Sequence, residues 1–370
     1  MEHKNLCEFE HNGKKYVALV RKLTERECYR LMGVDDADID KLLAAPIART
    51  AHYKLAGNSI VVDVLYHLFR KLFVNIGSES QQLTIFDDLD RNDQAPVYDH
   101  EHPLRVVTLC SGYDSQCLAF ERLKRDFPPF DYELVAWSEF DPTSKTPLAK
   151  QPAVVAHNAL FPQWADRNLG DMTKIDWEQV PDFDMLFYST PCQSISQAGL
   201  QHGFTEGSGT RSSIIWNVRD ALRIKQPKYA CLENVAAMVS EKFMPMFKLW
   251  RDEVANLGYQ NYAQLLNSKH YGVPQNRERI FLMSLRNDVS RHYNFPNQMP
   301  LKQTLPEVLD ECVETKYYLD PTKVDKFVAD NLVMIKKYMD DTDEPIEQLP
   351  DQLRDWLEKA KEDGNGIELE

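Results

Sequence analysis

From Arg105 onward, short apolar runs alternate with stretches of helical character, and this alternation constrains the fold more than any other feature of the chain. The runs are Val106-Val107-Thr108-Leu109, Leu134-Val135-Ala136-Trp137, Met185-Leu186-Phe187-Tyr188, Tyr229-Ala230-Cys231-Leu232 and Ile280-Phe281-Leu282-Met283. Strands separated by helices build a mostly parallel, doubly wound α/β sheet, whose ligands gather beyond the carboxyl ends of the strands.

Upstream the pattern differs. Cys7 to Val20 alternates apolar and polar residues on both sides of Asn12-Gly13, the pair that a type I′ turn favours, and predicts a β-hairpin. Thr24-Glu25-Arg26-Glu27 has capping-box spacing and opens a short helix through Met32. Val61 to Val74 reads as a strongly apolar helix, and residues 75–104 have the Ser, Gln, Asp and Pro content of a linker. The chain thus divides into a hairpin-and-helix segment (1–74), a linker (75–104), an α/β domain (105–286) and a C-terminal region (287–370). Residues 338–370 hold twelve acids against three bases, a net charge of −9, the pattern of a solvated helix or tail.

A chain of 370 residues with 43% hydrophobic composition can bury a sizeable core. It has no apolar run of the roughly 18 residues that a membrane span needs and no secretory signal pattern, so a cytoplasmic location is expected. The seven cysteines are scattered without CxxC or zinc spacing, which predicts neither a disulfide framework nor a metal site. A net charge of −14 argues against a whole-molecule grip on nucleic acid, and any DNA contact must come from a local basic cleft.

Chemistry-bearing residues recur where these strands end. Ser189-Thr190-Pro191-Cys192-Gln193-Ser194 puts a thiol in a strand-end loop, where it is either a nucleophile or a small buried hydrophobe. Glu233, in Leu232-Glu233-Asn234-Val235, is an acid that is costly to bury without a partner, or else a helix cap. Gln275-Asn276-Arg277-Glu278-Arg279 precedes the Ile280 strand with alternate arginines. Ser111-Gly112-Tyr113 follows the first strand, and Glu139 lies 27 residues beyond Gly112, about the distance at which an acid holds a ribose hydroxyl. Together these favour an adenosine-type cofactor over a plain tight turn.

In this order, Ser111-Gly112-Tyr113, Ser138-Glu139-Phe140-Asp141, Gly170-Asp171-Met172-Thr173, Pro191-Cys192-Gln193, Glu233-Asn234-Val235 and Gln275-x-Arg277-x-Arg279 resemble the motifs of the cytosine-C5 DNA methyltransferase family over residues 105–285. Arg21 to Gly33 resembles the family's ninth motif and Gly57-Asn58-Ser59-Ile60-Val61-Val62 its tenth. Both usually come last, so the sequence resembles a circularly permuted member.

The resemblance implies a Rossmann-like class I methyltransferase fold, S-adenosylmethionine as cofactor and DNA as partner. It implies Cys192 as the nucleophile at cytosine C6, Glu233 at N3, Arg279 at O2 and Arg277 in support of the acid or the loop. Gln193 and Ser196 are expected near the flipped base or its phosphates. For the cofactor, the same pattern implies Glu139 at the ribose, Phe140 on the adenine face, and Asp171 with Met172 at its edge. Ser111, Gly112, Tyr113 and Pro191 then border the pocket, joined by Asn58 and Ser59 from the permuted segment.

Two departures stand out. The first motif has Cys110 where the family has an aromatic residue, and Asp114 and Ser115 where it has glycines. Asp114 reads first as a cap of the following helix and second as a neighbour of the sulfonium. The target-recognition region is confined to residues 286–370 and turns acidic, so target choice is expected from a minimal element or from a second polypeptide. Competing readings are a family member acting on tRNA and a non-catalytic methyltransferase-like subunit. A nicotinamide dehydrogenase is disfavoured, since no GxGxxG follows the first strand.

Overall fold

The computed structural model describes residues 7–18, 20–74, 98–191, 195, 203–289, 292–319 and 321–341. Most of the expected linker and the acidic end beyond Asp341 lie outside them. The chain forms two compact units, one of residues 1–27 with 306–370 and the other of residues 28–305.

In the first unit, β1 (Cys7–His11) pairs antiparallel with β2 (Lys14–Ala18). Asn12 and Gly13 between them have φ of 51° and 76°, the positive pair that a type I′ turn requires. At the start of α1 (Glu25–Arg30) the capping box forms in both directions. The Glu27 amide donates to Thr24 Oγ1 at 3.1 Å, and the Thr24 amide donates to Glu27 Oε2 at 2.7 Å. Glu27 also accepts from Arg21 Nη2 at 2.7 Å and from the Asp310 amide at 2.7 Å. Burial opposes ionisation of Glu27, but these donors outweigh it and hold the carboxyl below its ordinary range. The long α9 (Pro321–Asp341) completes the unit.

The second unit carries the six-stranded sheet. Its strands are β3 (Leu104–Leu109), β4 (Tyr132–Ser138), β5 (Met185–Tyr188), β6 (Tyr229–Val235), β7 (Tyr259–Asn267) and β8 (Glu278–Arg286), in the order β4-β3-β5-β6-β8-β7. The first four are mutually parallel, whereas β8 runs antiparallel between β6 and β7. The fold is therefore the expected mostly parallel α/β sheet, and all five predicted runs are strands.

Helices cover both faces. On one, α4 (Val62–Phe73) and α5 (Ser115–Asp126) pack together, with the rings of Phe69 and Phe120 stacked at 4.1 Å. They join a core with Met185, Phe187, Cys231, Phe281 and Met283, and α6 (Pro152–Leu160) adds Val154, Ala156 and Leu160. On the other face, Leu186, Tyr188, Ala230, Leu232 and Leu282 pack with Leu222 of α7 (Val218–Lys225) and Trp250 of α8 (Met244–Asn256). Successive strand residues thus supply opposite cores, which is why the runs lack polar alternation.

Two further helices, α2 (Asp36–Ala44) and α3 (Arg49–Asn58), precede α4 and are not foreseen in the sequence. The helix predicted through Met32 stops at Arg30, because the Met32 and Gly33 amides turn back onto Tyr29 and Arg30 and Gly33 adopts φ 73°. A Cβ at Gly33 would lie 2.3 Å from Asp63 Oδ2, so close approach as well as backbone conformation demands glycine there.

Candidate active site

The chain leaves β3 for β4 on one side and returns to β5 on the other, which makes the carboxyl ends of β3 and β5 a topological switch point. Register aligns the ends, with Leu109 opposite both Ser138 and Tyr188, and Tyr188 opposite Leu232. The loops after these strands therefore open on one edge of the sheet.

The loop after β3 is held from beneath. Ser111 Oγ lies 2.8 Å from Thr108 Oγ1 and donates to the Ser138 carbonyl at 3.2 Å, while the Gly112 amide donates to Glu139 Oε2 at 2.7 Å. Burial pushes the Glu139 carboxyl up to about 7, against the Gly112 amide, which favours the charged form; Asp114 and Asp141 push the same way as burial. Asn168 locks the next turn to this one, its Oδ1 accepting from the amides of Glu139 at 3.2 Å and Gly170 at 2.8 Å. Asp171 accepts from Thr173, and Met172 places its sulfur 3.4 Å from that of Cys110.

Asp114 does not make the helix cap bond that the sequence pointed to first. It occupies the position before α5 but makes no side-chain cap bond, and its carboxylate is fully buried. Oδ2 accepts from Thr108 Oγ1 at 3.1 Å and lies 3.1 Å from Nδ1 of the equally buried His157, whose ring stacks on Trp137 at 3.6 Å. Its φ of 63° is the left-handed conformation that glycine adopts freely and aspartate adopts more readily than most residues. The aspartate thus preserves the backbone path of a glycine and anchors the loop from within.

Glu233 is 4% exposed at the end of β6 and has a partner at each oxygen. Arg279 Nε lies 3.1 Å from Oε1, and Ser189 Oγ donates to Oε2 at 2.5 Å. The sheet dictates this meeting: Glu233 faces Phe281 across the β6–β8 ladder, so Arg279, two residues from Phe281, projects from the same face as Glu233. Asn234 Nδ2 donates to the Thr190 carbonyl at 3.0 Å and Ser212 Oγ to the Pro191 carbonyl at 2.6 Å, fixing the turn that leads to residue 192.

Arg277 is directed elsewhere. Its Nη2 donates to the carbonyls of Gly57 at 2.9 Å and Ser59 at 2.7 Å, clamping the turn after α3. Asn58, in the same turn, stays exposed.

The structure thus gathers Ser111, Gly112, Tyr113, Glu139, Asp171, Met172, Pro191, Ser59, Glu233, Arg277 and Arg279 around one sheet edge. Phe140 and Asn58 are exposed members of the same loops. Cys192, Gln193 and Ser196 lie outside the described residues. Sequence reasoning missed Asn168, Ser189, Ser212 and His157; adjacency to a motif could have pointed to Asn168 and Ser189, but nothing local marks His157. Among the described residues, no group of His, Cys, Asp or Glu side chains could hold a metal ion, and no helix is long and apolar enough to cross a membrane.

A switch-point opening lined by a glycine amide, an acid and a neighbouring acid–arginine pair defines a nucleotide-type ligand site in an α/β protein. The sequence profile of the C-5 cytosine-specific DNA methylases matches residues 2–74 and 104–360, and the chain belongs to that family. The type II methyltransferase M2.ScrFI of Lactococcus lactis subsp. cremoris is 40% identical over 159 residues, covering 43% of this chain and 44% of the relative. The orphan methyltransferase M.Rho11sI of Bacillus phage rho11s is 31% identical over 254 residues, covering 61% of this chain and 47% of the relative. The chain spans about half the length of the curated relatives it matches. Among solved structures, a Spodoptera frugiperda DNMT2 aligns at 16% identity and a TM-score of 0.40, covering 58% of this chain and 61% of that one.

Proposed function

We propose that the chain transfers a methyl group from S-adenosylmethionine to C5 of a cytosine flipped out of DNA, through a covalent bond between Cys192 and C6. The observation that carries this reading is the buried Glu233 carboxyl, held between Arg279 and Ser189 beside the turn that leads to Cys192. A buried acid with a guanidinium at one oxygen can meet a ring nitrogen and a neighbouring carbonyl together.

The residues at the β3 and β4 ends fit the cofactor. A Cβ on Gly112 would meet nothing within 4 Å, so the backbone there borders open space. Glu139 stands beside it, and the Phe140 ring is 36% exposed, free to stack on a planar base. In this reading Glu139 accepts from the ribose hydroxyls, Phe140 covers the adenine face, and Asp171 and Met172 meet its edge. Ser111, Gly112, Tyr113 and Pro191 border the methionine moiety, and Asn58 and Ser59 complete the pocket. When bound there, the cofactor supplies an electrophilic methyl group.

Cys192 acts as a thiolate: the sulfur–C6 bond forms and the C5–C6 π pair shifts toward C5. Glu233 gives its proton to N3 as that charge develops, and Arg279 donates to O2. The C5 proton then passes to solvent water, the sulfur–C6 bond breaks with its electron pair returning to sulfur, and Glu233 takes back the N3 proton, which frees Cys192. The base must leave the stack at a cost of a few kcal/mol, and Gln193 and Ser196 receive it or its phosphates.

The segment order is read as a circular permutation, in which residues 1–74 come ahead of a linker (75–104) and the catalytic domain (105–286). The Arg277 clamp supports this, because it ties the turn after α3 to the strand that follows the QxRxR motif. Target choice falls to residues 287–370 or to a second polypeptide, and the reaction is cytoplasmic. Incubation of the chain and Cys192→Ser with tritiated S-adenosylmethionine and mixed genomic DNA tests the reading. Labelled 5-methylcytosine from the native chain alone supports it; label from the variant refutes the Cys192 role. A purified chain that methylates one short sequence unaided excludes the second polypeptide.

A further inference from the structure

We propose that Ser189 is a positioning residue that dictates which oxygen of Glu233 carries the proton delivered to the base; the inference rests on the methyltransferase reading above. The Arg279 guanidinium, its Nε 3.1 Å from Oε1, favours negative charge on that oxygen and so disfavours a proton there. A hydroxyl both donates and accepts, so Oε2, 2.5 Å from Ser189 Oγ, is the oxygen whose hydrogen bond survives in either protonation state. The proton therefore sits on Oε2.

The exchange balances. With Glu233 protonated, the Oε2–H bond is aimed at N3, and the Ser189 hydroxyl donates to the lone pair that Oε2 keeps. When the thiolate adds to C6, the Oε2–H bond breaks, the N3–H bond forms and the electron pair stays on Oε2. The Ser189 hydroxyl goes on donating to the new carboxylate, which Arg279 already pairs, so both oxygens keep a partner in a site where Glu233 is 4% exposed. Ser189 needs no contact with the base to do this. Its backbone place is set independently, since its amide bonds the Leu109 carbonyl at 3.3 Å and Thr190, next to it, is held by Asn234.

The position of Ser189 separates this role from a structural one. It is half-buried and small, and its removal leaves the Asn234 and Ser212 bonds to the loop in place. Ser189→Ala is expected to lower kcat about tenfold or more, as 1.4 kcal/mol of lost transition-state stabilisation would, while KM for DNA and cofactor affinity change less than twofold. Ser189→Thr, which restores the hydroxyl, should recover most of the rate. In a double-mutant cycle with Glu233→Gln, thermal melting should show the two positions coupled, a result independent of turnover. An active native chain whose Ser189→Ala variant matches it in kcat overturns the Ser189 role alone. So does a rate loss that threonine fails to restore, or additive melting shifts. A native chain that binds cofactor but labels no cytosine in DNA, either alone or with a cell extract able to supply a second polypeptide, overturns the methyltransferase reading and the inference with it.

Discussion

Replacing Glu139 by glutamine should make the ligand-free protein more stable at alkaline pH. The Glu139 carboxyl is pushed up to about 7, first by burial and then by Asp114 and Asp141, against an ordinary value near 4.5. At 1.36 kcal/mol per pH unit that gap is about 3 kcal/mol; because Glu139 is only partly buried, about 1–2 kcal/mol is expected after solvent screening. Between pH 4.5 and 7 the folded chain keeps a proton that the unfolded chain has lost. The contribution is therefore complete below pH 4.5, declines as pH rises and is gone above 7. Glutamine keeps an oxygen for the Gly112 amide without the charge, so at pH 8 Glu139→Gln should melt a few degrees higher, with the difference vanishing near pH 5. Cofactor affinity should move the other way, falling about tenfold or more in the variant, because the amide offers one acceptor to two ribose hydroxyls. Calorimetric melting from pH 5 to 9, with cofactor titrations alongside, tests both. A melting difference that does not vary with pH, or a native chain more stable than the variant at pH 8, would refute the burial argument.

Asp114→Ala should destabilise the second unit by about 2–3 kcal/mol by removing the acceptor of Thr108 Oγ1 and holding Ala in a left-handed backbone; Asp114→Gly should cost about 1 kcal/mol less, and chemical denaturation would resolve the two. Gly33→Ala should cost about 2–4 kcal/mol, since its Cβ meets Asp63 Oδ2 at 2.3 Å, and a melting curve unchanged from the native one contradicts the close approach. Arg277→Ala and Arg279→Ala should separate in kinetics: the first weakens cofactor binding through the Gly57–Ser59 turn, the second lowers kcat by about a hundredfold with cofactor affinity intact. Equal effects on both parameters would show the two arginines act as one.

In the six-stranded sheet the legible strands are those buried on both faces, where apolar runs are continuous, whereas the β1–β2 hairpin was legible from its Asn12-Gly13 turn. β7 was not, because it is an edge strand whose Gln260, Gln264 and Leu265 face solvent, leaving no run to read. α2 and α3 bury only Ile39 and Leu42, and His52 and Ala56, too little to impose a clear period. At the site, the motifs named Glu233 and both arginines, but the pairing of one with the acid and the other with Gly57 and Ser59 depends on where β8 begins. Asp114 was visible as a departure, whereas its partner is on α6, and a contact between distant segments leaves no trace in either one alone.

The Arg277 clamp also orders events in time. Ser59 leaves the ribosome 218 residues ahead of the arginine that secures it, and β8, which must insert between β6 and β7, follows directly after that arginine. During synthesis the turn after α3 waits in the open until nearly all of the sheet has emerged. A nascent chain halted before residue 277 therefore lacks the guanidinium that holds this turn, so on the proposed reading cofactor capture by ribosome-bound chains should switch on late.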